Sequence, residues 1–153
     1  MSNILTIKRT DGNNEDFNRL IQQLDHELWT IMNEVQATYD QFNKVQDIKT
    51  VVVAYENNVS IGCGCFKKYD NTTVEIKRMF VVPESRGKDV AITVLNELEK
   101  WAKELNYVTA ILETGKRMIP ANRLYKKAGY IITENYGQYI GLVESVCMKK
   151  ELS

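Results

Sequence analysis

The chain has 153 residues, 44% hydrophobic and 26% charged, which suits one domain with a substantial core, spanning 1–153, and leaves a second domain unexpected. Twenty basic and twenty acidic residues cancel, which excludes a global field drawing the protein onto nucleic acid or an anionic membrane, so any phosphate site has to be local. No apolar run reaches bilayer-spanning length, and the opening MSNILTIKRTDGNNED lacks the apolar core and small-residue cleavage pattern of a signal peptide, so a cytoplasmic location is expected.

In chain order, ILTIKRT reads as a strand, and Asp16 opens an amphipathic pattern in which Phe17, Leu20, Ile21, Leu24, Leu28, Ile31, Met32 and Val35 recur at three and four. That is one helix face, or two helices with a break near Asn33. Tyr39 to Lys49 has no clear period. TVVVAYENN and VSIGCGCFKKYD then predict a hairpin on an Asn-Asn turn. NTTVEIKRMFVV is a longer strand ending at Pro83, in which strict alternation places Val74, Ile76, Arg78 and Phe80 on one face and Glu75, Lys77, Met79 and Val81 on the other.

From Val90 the apolar positions Val90, Ala91, Val94, Leu95, Leu98, Trp101, Ala102 and Leu105 draw a helical stripe. TAILET follows as a strand, PANRLYKKAG as a short helix with Pro at its start and Gly129 as its stop, then YIITE and SVCMKKEL as strands. The order implies a mixed α/β sheet covered by helices instead of a purely parallel one.

Cys63, Cys65 and Cys147 are odd in number, and the first two lie in an apolar run, which fits buried thiols better than a disulfide framework. With His26 inside a helix pattern there are too few ligands for a metal, and none is expected.

The segment VVPESRGKDVA concentrates the chemistry. A strand stops at a proline, the chain turns through Arg86 and Gly87, and a helix starts with amides that have no internal partners, an arrangement that attracts phosphate. Gly87 allows close backbone approach, and Arg86 and Lys88 add cationic donors. By themselves these features also describe an ordinary basic surface turn.

VVPESRGKDVA resembles the coenzyme A pyrophosphate loop of the GNAT N-acetyltransferases, whose signature is Gln or Arg, two residues, Gly, one residue, then Gly or Ala. Arg86, Gly87, Lys88, Val90 and Ala91 follow it, and Asp89 departs from it by standing where the family usually has glycine. ANRLYKKAGY resembles the family's later block through Asn122, Leu124, Tyr125, Lys127, Gly129 and Tyr130. Together with the order of elements, the resemblance covers nearly the whole chain.

It implies the acyl-CoA N-acyltransferase fold, a mixed, mostly antiparallel sheet of six to seven strands in which MFVV splays from TAILET. It implies transfer of an acetyl group from acetyl-CoA, as co-substrate, to a primary amine of a small molecule by direct attack in a ternary complex. The pantetheine arm would lie in the splay against free backbone of Phe80, Val81 and Val82, with Asn122 hydrogen-bonding it and an N–H near Val81 polarising the thioester. Tyr125 would protonate the departing thiolate, a role a phenol with an ordinary pKa of about 10 can fill; the same tyrosine also suits packing a short helix on the sheet.

For the base, Glu75 stands eleven residues before Arg86, the spacing of the histone-acetyltransferase branch. A surface glutamate paired with Lys77 is the competing reading. Glu113 is the second candidate. Tyr136, Tyr139 and Glu144, in the connection YGQYIGLVE, are expected either to line the acceptor pocket or to be ordinary loop residues. Two further functions share the resemblance: a peptide or protein N-acetyltransferase, and a non-catalytic acyl-CoA sensor, for which Asp89 is the argument. The resemblance also allows a homodimer.

Overall fold

β-Branched and aromatic residues dominate 50–81, and the computed structural model, which describes residues 4–32, 45 and 47–152, folds them into an antiparallel meander. Its strands are β2 (Thr50–Glu56), β3 (Val59–Lys68) and β4 (Thr73–Val81). The β2–β3 turn is the expected Asn57-Asn58 pair, both at positive φ (52° and 70°), as a two-residue turn matching strand twist requires. β1 (Leu5–Thr10) adds antiparallel to β2.

On the far side β5 (Thr109–Gly115) lies parallel to β4, and β7 (Ser145–Glu151) runs antiparallel to β5, inserted between it and β6 (Ile131–Thr133). The seven-stranded order β1-β2-β3-β4-β5-β7-β6 thus contains one parallel pair, and the mixed, mostly antiparallel sheet read from the sequence is what forms. YIITE contributes only three strand residues, all exposed at the sheet edge.

α1 (Glu15–Met32) begins one residue earlier than its apolar pattern, because Asn14 caps it by accepting the Phe17 N–H at 2.9 Å. The expected break near Asn33 and the stripe residue Val35 lie outside the described residues. α2 (Val90–Glu104) buries Val90, Val94, Leu95, Leu98 and Ala102. α3 (Ile119–Lys127) has Pro120 in its first turn and is followed by Gly129 at φ 101°, the left-handed stop glycine supplies. No helix among the described residues is long and apolar enough to cross a membrane.

The two long helices cover opposite faces of the meander. Phe66 and Ile76 are cross-strand partners on the α2 face, where Phe66 meets the Trp101 ring edge-on at 6.0 Å. Cys65 and Lys77, one residue along, belong to the α1 face.

The alternation expected along β4 holds only as far as Lys77. Cys65 pairs with Lys77 but Cys63 with Phe80, so one residue of β3, Gly64, opposes two of β4, Arg78 and Met79, a bulge with Arg78 at φ 59°. Beyond it the faces exchange. Met79 packs toward Val94 and Leu98 of α2 around Gly64, and Val81 meets Val90 around Gly62. Phe80 joins Gln22, Gln23 and His26 on the α1 side. Glu75 therefore shares its face with Phe80, not with Met79 and Val81.

Candidate active site

β4 and β5 pair in register from Thr73–Thr109 to Ile76–Leu112 and no further, although β4 runs on to Val81 and β5 to Gly115. The strands part there and open a cleft. Leu24 and Leu28 of α1, Glu75 to Met79 of β4, Glu113 to Gly115 of β5, Met118, Ala121, Tyr125 and Tyr139 line it. Its cavity holds about 130 Å³.

Polar side chains on and behind its walls are bonded to one another. Tyr136 donates its hydroxyl to Glu75 Oε2 at 2.6 Å, and Glu75 Oε1 stands 3.8 Å from Lys67 Nζ and 3.9 Å from Lys77 Nζ. Glu75 is only 1% exposed. Lys77, buried beside it, donates to the Tyr139 hydroxyl at 3.1 Å. Burial pushes this ammonium below its usual pKa, against the opposing pull of Glu75. Ser145 donates its hydroxyl to Glu113 Oε2 at 2.8 Å, and burial, only partly offset by that bond, raises the Glu113 carboxyl to about 7.

Tyr125 stands on α3 with its ring edge-on to Tyr130 at 5.9 Å and its hydroxyl without a hydrogen-bond partner among the described residues. Burial, then the Glu113 charge, pushes its pKa upward, so it is a phenol at neutral pH.

At the end of β4 the Val82 N–H is bonded to Ile61 O at 2.9 Å and the Val82 carbonyl accepts the Ser85 N–H. Val82 is therefore not the free backbone the sequence reading expects, because β3 still pairs with the chain there. Strand alternation turns the neighbouring Val81 N–H and C=O the other way, toward the gap left by β5.

Pro83–Ser85 form a single 3₁₀ turn, Gly87 sits at φ 78° with nothing near its missing Cβ, and Asp89 sits at φ 65° as the residue before α2. Asp89 makes no side-chain cap, so the first amides of α2 have no partner from it. Its left-handed backbone is the reason glycine fits this position and aspartate is tolerated.

Arg86 does not point its guanidinium into the turn. Nε donates to Val81 O at 2.9 Å and Nη2 to Glu27 of α1 at 2.7 Å, tying the loop to the strand end. Gly87, Lys88 and Asp89 are exposed around the open amides, while Val90 is buried and Ala91 half-buried beneath them.

Asn122 spends both bonds of its amide group on Gly115 O (3.0 Å) and Met118 O (2.8 Å), fixing the β5–α3 turn; only its Oδ1 is left for a ligand. Glu144 pairs with Arg117 at 2.9 Å and does not line the cleft. Lys77 and Arg78 are cleft residues that motif reading misses. For Lys77 the two-residue spacing from Glu75 is a signal; for Arg78, which bonds Asp25 at 2.6 Å across the bulge, there is none.

A family model for the GNAT acetyltransferases matches residues 17–130. The chain belongs to the GNAT family. It is 28% identical over 156 aligned positions to an IAA acetyltransferase of Azospirillum brasilense, covering 97% of this chain and 98% of the relative. It is 34% identical over 101 residues to the uncharacterized N-acetyltransferase YsnE of Bacillus subtilis, covering 65% and 67%.

Among solved structures, an acyl-CoA N-acyltransferase assignment from Klebsiella pneumoniae superposes with a TM-score of 0.82 at 26% identity, over 98% of this chain and 99% of the other. PaiA N-acetyltransferase of Thermoplasma acidophilum, solved in complex with coenzyme A, has the same fold, with a TM-score of 0.73 at 21% identity over 99% of each chain. This GNAT chain is an acyl-CoA-dependent acetyltransferase, and the parted strands are its candidate active site.

Proposed function

We propose that the protein, acting as one domain over 1–153, transfers an acetyl group from acetyl-CoA to the primary amine of a small molecule. The carrying observation is the parting of β4 and β5 after Ile76–Leu112, which opens a cleft with Tyr125 on its wall, while the chain leaving β4 turns directly into the uncapped start of α2. The amides of Gly87 to Ala91 would hold the pyrophosphate, helped by Lys88, with Arg86 fixing the loop from behind. The pantetheine arm would follow Phe80 and Val81, and the Val81 N–H would polarise the thioester carbonyl. Val82 and Asn122 would support that path by holding the strand end and the β5–α3 turn.

Direct attack needs two proton movements. An aliphatic amine, with a pKa near 10.4, arrives protonated and has to lose a proton before its lone pair attacks the carbonyl carbon. As the C–S bond breaks, the thiolate takes a proton from Tyr125. A carboxylate of the cleft wall, Glu75 or Glu113, receives the amine's proton.

Thiol release from acetyl-CoA over an amine panel, beside a direct measurement of coenzyme A binding, tests the reading. Turnover is expected, and Tyr125→Phe is expected to lower kcat by about ten- to a thousandfold with coenzyme affinity nearly unchanged. Tight coenzyme binding without thiol release from any amine would point to a sensor instead.

A further inference from the structure

Building on the acetyl-transfer reading, we propose that Glu113 is the group that takes the proton from the incoming amine, and that Glu75 is a positioning residue. The two carboxylates stand on facing strands of one cleft, and their surroundings divide the work.

Glu75 is held by opposite charge and shut away from solvent. Tyr136 donates to Oε2 at 2.6 Å, Oε1 makes no hydrogen bond but lies between two ammonium groups at 3.8 and 3.9 Å, and the residue is 1% exposed. The hydrogen bond reaches the β6–β7 connection through Tyr136 and the ion pair reaches β3 through Lys67, so Glu75 links three parts of the fold.

Glu113 differs in its charged neighbours, its exposure and its place on the cleft. It is the first β5 residue past the last pair with β4, Ile76–Leu112, so it stands where the gap opens. Ser145 fixes one oxygen at 2.8 Å, and the other has no partner among the described residues. The residue keeps partial exposure on the cleft lining. A held carboxylate with one open oxygen beside a cavity is the geometry a general base requires.

Among the described residues, the charged and titratable groups facing it are Lys77 and Glu75 from β4, with Arg78 on the same cleft lining, Tyr125 from α3, Tyr139 from the β6–β7 connection and Cys147 from β7; α1 presents Leu24 and Leu28 to the cleft. Desolvation dominates among these influences and raises the carboxyl to about 7, which brings a carboxylate to the strength at which proton abstraction near neutral pH is efficient.

The protons balance as follows. Glu113 removes one proton from the ammonium and releases it to solvent. The neutral amine attacks, the C–N bond forms and the C–S bond breaks, and Tyr125 gives its hydroxyl proton to the departing sulfur. The second nitrogen proton returns to the Tyr125 phenolate, leaving amide, free thiol and the starting enzyme.

The test uses the full chain with acetyl-CoA and ethylamine, tyramine, spermidine and lysine as probes. For the amine giving the fastest thiol release, kcat/KM of the wild type should rise through an inflection near pH 7, well below the amine's own. Glu113→Gln should lower kcat by about a hundredfold and erase that inflection, while Glu75→Gln should keep it. An inflection that survives in Glu113→Gln, or vanishes in Glu75→Gln, overturns the assignment.

Independently of turnover, carbon-13 NMR of labelled glutamate carboxyls in the coenzyme A complex should show one group titrating near 7 that is missing from Glu113→Gln. If that signal titrates near the ordinary 4.5, the proposal fails even where acetyl transfer stands. A wild type that binds coenzyme A without releasing thiol for any probe, although Glu113 still titrates near 7, overturns the acetyl-transfer reading and the base role with it.

Discussion

Asp89 shows how one side chain can be explained by the wrong property. In the sequence it is an acid in a phosphate-binding turn, and the helix dipole would account for it at roughly 0.3 to 1 kcal/mol. The structure puts it at φ 65°, before the first helical residue and without a cap bond. What selects the position is backbone handedness, for which glycine is the ordinary solution and aspartate a tolerated one. The carboxylate is a by-product, lying exposed near the open amides. Asp89→Gly should leave stability within about 1 kcal/mol, relief of left-handed strain being offset by a freer unfolded chain. Losing one negative charge beside the proposed pyrophosphate site should tighten coenzyme A binding by about two- to fivefold in titration calorimetry at low salt; looser binding would show that the carboxylate supports the loop.

At the scale of elements, a motif reading sees Arg86 as a phosphate donor, whereas its guanidinium binds Val81 O, lies over Phe80 at 5.6 Å and pairs with Glu27. Arg86 holds the end of β4, the turn and α1 in one arrangement, and the backbone presents the amides. Arg86→Ala should therefore weaken coenzyme A by about tenfold, the worth of one charge-assisted bond of roughly 1.4 kcal/mol. Raising salt should change the variant's affinity about as much as the wild type's, since no direct phosphate contact has been lost; a markedly flatter salt dependence would restore the direct role.

The elements themselves were legible: helix periodicity, the Asn-Asn hairpin, Pro120 and Gly129 all mark what forms. The bulge was not. Alternation in VEIKRMFV gives no sign of an extra residue, and the partners that hold the Arg78 side chain at the bulge, Asp25 and Ile21 O, lie on a helix some fifty residues away. For the same reason the loop and Tyr125 could be read from local motifs, while the engagement of Glu75 and the freedom of Glu113 depend on Tyr136, Lys67 and Ser145, brought in by three separate strands and connections.

For the whole molecule, Glu113 ties function to stability. Its folded carboxyl, near 7, lies above the ordinary 4.5, so between those values the native state binds more protons than the unfolded chain. Stability from this group is retained at acid pH and falls as pH rises from 4.5 through 7. Glu113→Gln, which cannot ionise, should gain about 1 to 3 kcal/mol at pH 8 relative to its effect at pH 5, after discounting for partial exposure. Thermal unfolding should show this as several degrees of extra Tm at the higher pH; an equal change at both values would mean that Glu113 titrates normally.

The four paired residues between β4 and β5 have a mechanical meaning as well. They are the spine along which a seven-stranded sheet opens like a book, with β1 to β4 as one cover and β5, β7 and β6 as the other. On the proposed path, a molecule laid between the covers and bonded to their edges would take the place of missing ladder, and the co-substrate would be for a moment a structural member of the protein that consumes it.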